Sequence, residues 1–355
     1  MGNRLIYKDR SIFGFDIGRS SIKVMQIDWS DKLPVVTGYG STKFNPDAIV
    51  NGRVVDPIEI AKQTYGLFAK ELVGQITTKR AAISLPNEHS FSRIITLPKM
   101  DQKEVATAVK LEAEQSIPVP IDDLYYDYIV SHQLPDGGQE IQIVACPKEI
   151  VDSYTTVFDL LGLEIALVEP NIFAVSRMVA QAEAHDVGTL IVDFGSTACD
   201  LSVYDNNTIR ATSTVSCSGE NITKLIADKL GLTEQQAHSI KTRYGLEKSK
   251  KQDEIVDALT PELNKLISEI KKFVRYYAER TESDRQIGQI IVLGGGANLP
   301  GLATYITSHI RIPARLCAPW SNLTFGKLQP PHELETTLFT TAGGLSLVTA
   351  KELSQ

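Results

Sequence analysis

The chain has 355 residues, a length typical of a protein with two domains. Hydrophobic residues account for 43% of it and charged residues for 22%, a balance that excludes a mainly disordered chain, a collagen-like chain and a coiled-coil rod. Acidic residues outnumber basic ones, 43 to 36, which gives a net charge of −7. Because contacts to nucleic-acid phosphates need a basic face, we expect no general nucleic-acid binding.

The sequence predicts a cytoplasmic protein without a membrane anchor of its own. Residues 1–10 are polar and do not resemble a secretory signal. The longest uncharged stretch, residues 286–310, is interrupted by three consecutive glycines and by Pro300, whereas a membrane-spanning helix needs ~20 mostly apolar residues. The four cysteines and six histidines lack the spacing of a metal site. Two cysteines lie in apolar runs, where we expect buried thiols, and such sparse use of cysteine fits a reducing compartment.

Strand-like and helical segments alternate along the first half of the chain. An N-cap at Asp56, followed by a proline at the first helical position, predicts a helix over Ile58–Leu72. A second helix begins at Asp101, which has capping-box spacing with Glu104, and ends before Pro118. Strands are predicted around these helices at Ile12–Ile17, Ile22–Asp28, Pro34–Gly40, Ala81–Leu85, Phe91–Leu97, Leu124–Val130 and Ile141–Cys146.

The second half repeats the opening pattern of three strands followed by helices. Before it, residues 151–177 predict two helices around a short strand at Glu164–Val168. A long helix with apolar residues at helical spacing begins at Pro261, and the charged segment 247–255 before it is predicted to be a solvated loop. The repeated strands are predicted at Thr189–Asp193, Ala198–Tyr204 and Ile209–Val215, and the helices that follow them at Glu220–Leu230 and Glu234–Tyr244.

One short motif occurs twice, at matching places in the two halves. Residues 13–22 align with residues 190–199, and each copy reads as an apolar strand, an Asp, an apolar residue, a Gly, a hydroxyl-bearing residue and a second strand. Asp16 and Asp193 each lie two residues before the glycine and four before a Ser or Thr. A single copy would indicate only a hairpin turn, because Asp and Gly are common there. Two copies in two strand-rich halves favour a shared function.

The motif suits the binding of a nucleoside triphosphate with Mg²⁺. A hairpin turn with Gly lets backbone N–H groups approach phosphate oxygens closely, and small hydroxyl side chains add donors. Asp16 and Asp193 would repel phosphate directly, but a carboxylate can hold Mg²⁺ or its waters, and the ion bridges to phosphate. Two facing loops would clamp a triphosphate from both sides. Lys23 follows the first loop and Asp200 takes the matching position in the second, so the loops are not chemically equivalent.

A third glycine-containing element supports nucleotide binding. Residues 290–302 read as a buried strand, three glycines (Gly294, Gly295 and Gly296) and a helix start. Glycines let a flat base or ribose lie on the backbone, although a simple strand-to-helix turn is the alternative. No GK[ST] follows, so the element is not a Walker A loop. The first Asp-x-Gly turn opens a hairpin and not a helix, which excludes a Rossmann fingerprint.

Together these motifs resemble the phosphate-1, phosphate-2 and adenosine motifs of the actin, Hsp70 and sugar-kinase superfold. The resemblance covers nearly the whole chain and includes two connecting helices, at 169–174 and 341–345. It implies an α/β, actin-like (ribonuclease H-like) duplicated fold with two lobes flanking a nucleotide cleft. Segments 91–98, 111–114 and 117–120 further resemble the PilM family of type IV pilus assembly, relatives of FtsA that carry a small inserted 1C-type subdomain.

The resemblance implies roles for residues in both halves, with ATP and Mg²⁺ as cofactors. Asp16 and Asp193 would form the Mg²⁺ shell, and Glu169 would be the catalytic residue that orients an attacking water, a plain helix-start carboxylate being the alternative. Lys241 would pack on adenine, with a solvated helix lysine as the alternative, and His238 replaces the acid expected near it. The other residues implied in cofactor binding are Gly18, Ser20, Ser21, Lys23, Gly195, Thr197, Gly219, Gly294, Gly295 and Gly296.

The same resemblance implies a partner at a membrane. The chain would be a cytoplasmic ATP-binding scaffold, at most a slow ATPase, that docks to the N-terminal peptide of a PilN-like inner-membrane protein. This partner and its pilus assembly complex would hold the chain at the inner face of the cytoplasmic membrane. Whether the chain also associates with copies of itself stays open. The alternatives are an FtsA-like division or filament protein and a small-molecule kinase. The C-terminal end lacks the broad apolar face of an FtsA-like membrane helix, and no acceptor pocket for a kinase is evident.

Domain boundaries are expected where the motifs divide the chain. They are 1–80 for the first actin-like lobe, 81–150 for the inserted subdomain, 151–187 for connecting helices that complete the first lobe, 188–335 for the second lobe and 336–355 for a C-terminal helix returning to the first.

Overall fold

The computed structural model describes residues 11–29, 33–183, 187–280, 286–349 and 352–354. The chain divides into two units. The N-terminal segment 1–10, for which no secretory signal is expected, lies outside the described residues. Unit 1 comprises Met1–Ala174, Thr324–Gln329 and Thr341–Gln355, and unit 2 comprises Val175–Leu323 and Pro330–Thr340.

Unit 1 is built on a mixed six-stranded sheet. The strands of the unit are β1 (Phe13–Ile17), β2 (Ser21–Asp28), β3 (Val35–Lys43), β4 (Ile49–Val50), β5 (Arg53–Val54), β6 (Val73–Gly74), β7 (Arg80–Leu85), β8 (Phe91–Leu97), β9 (Leu124–Gln133), β10 (Gln139–Pro147) and β11 (Glu164–Pro170). The sheet has the order β11-β7-β1-β2-β3-β6. β1 pairs antiparallel with β2 and parallel with β7, which pairs parallel with β11. The carboxyl ends of β1, β7 and β11 therefore meet at one edge, where α/β folds bind ligands.

An aromatic core fixes this sheet against its helices. The helices in the first segment of unit 1, up to residue 174, are α1 (Pro57–Lys70), α2 (Gln102–Ser116), α3 (Lys148–Leu161) and the first residues of α4 (Asn171–Ala182). Asp56 caps α1, as predicted. Phe15 of β1 and Phe158 of α3 are fully buried, with ring centroids 4.9 Å apart, and Leu67 of α1 joins the same cluster. Burial of each such side chain contributes about 1.5–3 kcal/mol, so this core holds the end of β1 that carries Asp16.

Residues 86–147 make up most of the segment expected to be the inserted subdomain, and this segment has a sheet of its own. Its antiparallel sheet has the order β8-β10-β9, and β9 is an edge strand. Val105 and Val109 of α2 pack on Ile141 and Ile143 of β10. The predicted capping box is present at the start of α2. The boundary at residue 81 stays a prediction; it falls inside β7, which begins at Arg80 and is a strand of the six-stranded sheet.

Unit 2 repeats the core arrangement of unit 1. Its strands and helices are β12 (Gly188–Phe194), β13 (Cys199–Asp205), β14 (Thr208–Val215), α5 (Gly219–Leu230), α6 (Glu234–Arg243), α7 (Gln252–Arg280), β15 (Ile287–Leu293), α8 (Leu302–Ile310) and β16 (Ala314–Leu316). Its five-stranded sheet has the order β14-β13-β12-β15-β16. β12 pairs antiparallel with β13 and parallel with β15, as β1 pairs with β2 and β7. The duplication read in the sequence is therefore also a duplication of strand topology.

The long helix α7 differs from its prediction. It begins at Gln252 and not at Pro261, which lies inside it, so part of the expected loop 247–255 is helical. A proline inside a helix costs roughly 3 kcal/mol because it removes a backbone hydrogen bond. Ile255 and Leu259 are fully buried and extend the apolar face of the helix beyond the proline, and this burial outweighs the cost.

The chain crosses between the units four times, after residues 174, 323, 329 and 340, and the first and last crossings lie inside helices. The first of these helices is α4, and the second is α9 (Thr340–Ser346), which corresponds to the predicted connecting helix at 341–345. All four cysteines are buried and free, which confirms the prediction for the two in apolar runs and extends it to the others.

Candidate functional site

The first Asp-x-Gly loop is a tight hairpin between β1 and β2. Gly18 N–H donates to the carbonyl of Ser21 at 2.9 Å and closes the turn. The carbonyl of Ser20 accepts from Phe44 N–H at 3.1 Å, which ties the loop to the end of β3. The side chains of Ser20 and Ser21 are half-buried. Small residues at a fixed turn leave the backbone open to a close-fitting anion.

The Asp16 carboxylate at the end of β1 is buried and held from both neighbouring strands. Lys23, directly opposite on β2, places Nζ 3.1 Å from Oδ2. Ser84 on β7 donates its hydroxyl to Oδ1 at 3.1 Å. Both oxygens of the carboxylate therefore have a donor, one charged and one neutral.

Glu169 lies in the same row of the sheet as Asp16 and Ser84. It pairs with Ser84 in the parallel β7–β11 register, and Ser84 follows Ile83, the partner of Phe15. Glu169 is the penultimate residue of β11, which continues to Pro170, and α4 begins at Asn171. Glu169 thus lies two residues before the start of α4, and its catalytic role stays a prediction beside the alternative of a helix-start carboxylate. The sequence prediction missed Ser84, whose signal was a lone hydroxyl in the apolar strand Arg80–Leu85.

The second Asp-x-Gly loop is the equivalent hairpin between β12 and β13. Gly195 N–H donates to the carbonyl of Ala198 at 2.9 Å, and Asp193 faces Asp200, as the alignment predicted. Gly219 N–H, at the start of α5, donates to the carbonyl of Gly195 at 3.0 Å. Thr197 lies exposed in the loop. Hydrogen bonds thus join the loop to the amino end of α5.

Lys241 of α6 is a buried lysine beside this loop. Its Nζ donates to the carbonyl of Gly219 at 2.9 Å and to Thr223 Oγ1 at 2.8 Å, and the residue is 8% exposed. Burial lowers the pKa of Lys241 to about 8, partly offset by the charge of Glu220. The alternative of a solvated lysine is therefore wrong: Lys241 fastens α6 to the first turn of α5.

The triple-glycine element lies beside the second loop. Asp193 pairs with Leu293 in the parallel β12–β15 register, and Gly294 follows with φ +81°, a backbone conformation that favours glycine. A Cβ at Gly294 would overlap Asp193 Oδ1 and lie 2.8 Å from the carbonyl oxygen of Phe194. Gly295–Asn298 forms a short 3₁₀ helix before α8. In unit 2 the structure therefore brings Asp193, Gly195, Gly219, Lys241 and Gly294–Gly296 together.

Asp16 and Asp193, each within its own unit, are carboxylates of a kind suited to a magnesium ion that keeps its own waters. No cluster of three or more His, Cys, Asp or Glu side chains able to hold a metal occurs among the described residues. Mg²⁺ does not require such a cluster, because it commonly uses one or two carboxylates together with phosphate oxygens and water. Asp16 and Asp193, each at the carboxyl end of a parallel strand, supply donors of this kind.

Within the described ranges, no helix is both long enough and apolar enough to cross a membrane.

Residues 14–350 match the family described as type IV pilus assembly protein PilM. The chain is also similar to the cell division protein FtsA. It is 21% identical to FtsA of Bacillus subtilis (strain 168), over 86% of this chain and 78% of the relative. It is 23% identical to FtsA of Pseudomonas aeruginosa, over 89% of this chain and 85% of the relative.

Solved structures share the fold over most of the chain. A chain of the PilM-PilN type IV pilus biogenesis complex is 24% identical, with a TM-score of 0.82 over 95% of this chain and 98% of that one. EutJ of Carboxydothermus hydrogenoformans is 16% identical, with a TM-score of 0.57 over 94% and 88%. MreB5 of Spiroplasma citri bound to ADP is 12% identical, with a TM-score of 0.52 over 95% and 95%. The chain therefore has the actin-like fold and belongs to the PilM family of type IV pilus assembly proteins.

Proposed function

We propose that this chain is an ATP-binding scaffold of type IV pilus assembly that docks to the N-terminal cytoplasmic tail of a PilN-like membrane protein. The observation that carries the nucleotide part is the duplicated hairpin, with a carboxylate at the end of a parallel strand in each unit. Family membership supports the place in pilus assembly.

The two hairpins would bind the phosphates and their metal ion. In unit 1, the backbone of Gly18 and the hydroxyls of Ser20 and Ser21 would donate to phosphate oxygens, and Lys23 would add a positive charge. In unit 2, Gly195 and Thr197 would do the same. Mg²⁺, when bound, neutralises phosphate charge, and we assign its protein contacts to Asp16 and Asp193. Gly219, Lys241, Gly294, Gly295 and Gly296 are the residues we assign to the adenosine.

Glu169 is our candidate for the residue that orients water if ATP is hydrolysed. Its place in the row of Asp16 and Ser84 puts a carboxylate at the carboxyl edge of the same sheet. A general base must reach the proton it removes, either directly or through one water. Glu169→Gln should therefore slow any ATP turnover while leaving nucleotide affinity close to wild type.

The inserted subdomain offers an edge for an extended peptide. β9 has no second strand neighbour among the described residues, so its outer N–H and C=O groups are open to another strand. Apolar side chains on it are also exposed: Tyr125 (49%), Tyr126 (38%), Ile129 (41%) and Val130 (45%). We assign the PilN-like tail to this edge, and a solved PilM chain in complex with PilN supports that class of partner.

The tail would place the scaffold at the inner face of the cytoplasmic membrane. A net charge of −7 opposes direct docking to anionic lipid, whose surface is also negative. The partner's own membrane anchor would then be the attachment.

Binding of Mg·ATP is tested by thermal unfolding. A ligand at about 100 times its Kd stabilises the folded state by ~2.7 kcal/mol, so millimolar Mg·ATP should raise the melting temperature by several degrees. Asp16→Ala should reduce that gain. Asp228→Ala, at an exposed position of α5, is the control and should keep it. A wild-type chain that melts identically with and without Mg·ATP would overturn the nucleotide part.

A second candidate is an FtsA-like filament protein, because FtsA relatives match along most of the chain. A filament should sediment in the presence of ATP at concentrations where the scaffold stays in the supernatant. Sedimentation with and without Mg·ATP separates the two.

A further inference from the structure

The hydroxyl of Ser84 is placed to control the orientation of one carboxylate. It is 3% exposed and donates to Asp16 Oδ1 at 3.1 Å. Lys23 holds the other oxygen, Oδ2, at the same distance from the opposite strand. Rotation of the Asp16 carboxylate would therefore break one hydrogen bond and one ion pair together. Each carboxylate oxygen has two lone pairs, so both keep acceptor capacity for an ion or its waters.

Asp16 lies near a fully buried part of the core, where such contacts are strong. Tyr154 of α3 is fully buried, and burial raises the pKa of its hydroxyl, with the charge of Asp16 raising that pKa further. A hydrogen bond is electrostatically stronger in such a low-dielectric setting than in water. The Ser84 hydroxyl should then have a measurable effect on the carboxylate beside it.

The second hairpin does not repeat this arrangement. Asp193 has Asp200 opposite on one neighbouring strand and Leu293 on the other, where Asp16 has Lys23 and Ser84. At this register position a hydroxyl-bearing residue stands in unit 1 and a leucine in unit 2, so the hydroxyl does not follow from the shared topology. An asymmetry of this kind points to a role at one loop only.

We propose that Ser84 is a positioning residue that orients the Asp16 carboxylate toward the Mg²⁺ ion of a bound nucleotide. The inference rests on the proposed nucleotide binding. It adds Ser84 to the site and predicts that the effect of Ser84 on ATP affinity depends on Mg²⁺. Residues that orient a metal-binding group typically contribute 10- to 100-fold to metal affinity. Loss of the Ser84 hydroxyl should then weaken the Mg²⁺-dependent part of ATP affinity roughly tenfold or more, and leave the metal-free part unchanged.

The test is a titration of the full chain with a fluorescent ATP analogue, in EDTA and across a series of Mg²⁺ concentrations. Ser84→Ala removes the hydroxyl, and Ser84→Thr keeps it on a side chain suited to a strand. Ser202→Ala is the matched control: Ser202 is fully buried in β13, and its hydroxyl has no hydrogen-bond partner within the described residues. We expect Ser84→Ala to need roughly tenfold more Mg²⁺ for half-maximal binding, Ser84→Thr to recover most of the wild-type response, and Ser202→Ala to match wild type.

Two results would overturn the proposal while leaving nucleotide binding in place. One is a Ser84→Ala variant with the wild-type Mg²⁺ response. The other is a Ser84→Ala variant whose affinity falls equally in EDTA and in Mg²⁺, which is the mark of a structural role only. A wild-type chain that binds no nucleotide under any condition would overturn both this inference and the proposed function.

Discussion

Lys23 and Asp16 form a buried ion pair across the β1–β2 hairpin, with Nζ 3.1 Å from Oδ2 and side chains only 11% and 13% exposed. At the matching register position of the β12–β13 hairpin, Asp193 faces Asp200. The first loop therefore carries its own cation and the second carries a further carboxylate. A phosphate bound at the first loop would meet the positive charge of Lys23, whereas a phosphate at the second loop would need a cation from elsewhere.

Removal of Lys23 should destabilise the chain strongly. Lys23→Met leaves the buried Asp16 carboxylate without its charge partner, and breaking a buried pair on one side typically costs about 3–5 kcal/mol of unfolding free energy. Lys272→Met is the control, because Lys272 pairs with Glu269 at the surface of α7, where such pairs are worth ~0–1 kcal/mol. Urea denaturation measures both. Equal losses in the two variants would show that the Asp16 pair is no stronger than a surface pair.

Gly294 should tolerate a side chain less well than another glycine of similar backbone conformation. Gly294→Ala forces φ +81° on alanine, at ~1–2 kcal/mol, and adds the overlap with Asp193 Oδ1. Gly231 has φ +62° but open space around its Cα, so Gly231→Ala carries only the backbone cost. We expect Gly294→Ala to lose more unfolding free energy than Gly231→Ala. Indistinguishable denaturation midpoints would contradict the close approach of Gly294 to Asp193.

Lys241 should make stability depend on pH in the alkaline range. Its pKa is about 8 in the folded chain against an ordinary value of 10.5, so between these values the unfolded state binds more protons and stability rises with pH. The Lys241→Met variant should lack this contribution. The unfolding free energy of the wild type should therefore rise relative to that of the variant as pH rises from about 8 to 10.5. Lys271→Met, at an exposed position of α7, is the control and should follow the wild-type profile. Parallel curves for wild type and Lys241→Met would show that Lys241 has an ordinary pKa.

Local patterns in the sequence predicted the hairpins but not the contacts around them. Asp16 and Asp193 each lie two residues before a glycine, so the sequence alone predicted both hairpin turns. Ser84 is distant from Asp16 along the chain and meets it only through the parallel β1–β7 register. The sequence of one strand does not say which neighbour it will have, and so no local signal connected the two residues.

Tertiary burial also overrode two local signals. Pro261 has the character of a first helical residue, but the buried Ile255 extends α7 well before it. Lys241 has the character of a surface lysine on a polar helix, and its burial follows from the packing of α6 on α5. Neither packing partner is visible from the residues nearby.

The docking of a PilN-like tail is the central claim, and a peptide titration tests it most directly. The purified chain is titrated by fluorescence anisotropy with the labelled N-terminal peptide of a PilN-like protein from the same organism, with and without Mg·ATP. Ile129→Ser and Val130→Ser change exposed side chains on the β9 edge, and Ile58→Ser, at a 70% exposed position on α1, is the matched control.

We predict saturable binding by wild type and by Ile58→Ser. Loss of an interface anchor costs more than about 1 kcal/mol, so the β9 variants should bind several-fold to tenfold more weakly. Full affinity in the β9 variants would show that the peptide binds to another surface of the chain. No binding by the wild-type chain, with or without Mg·ATP, would contradict the account.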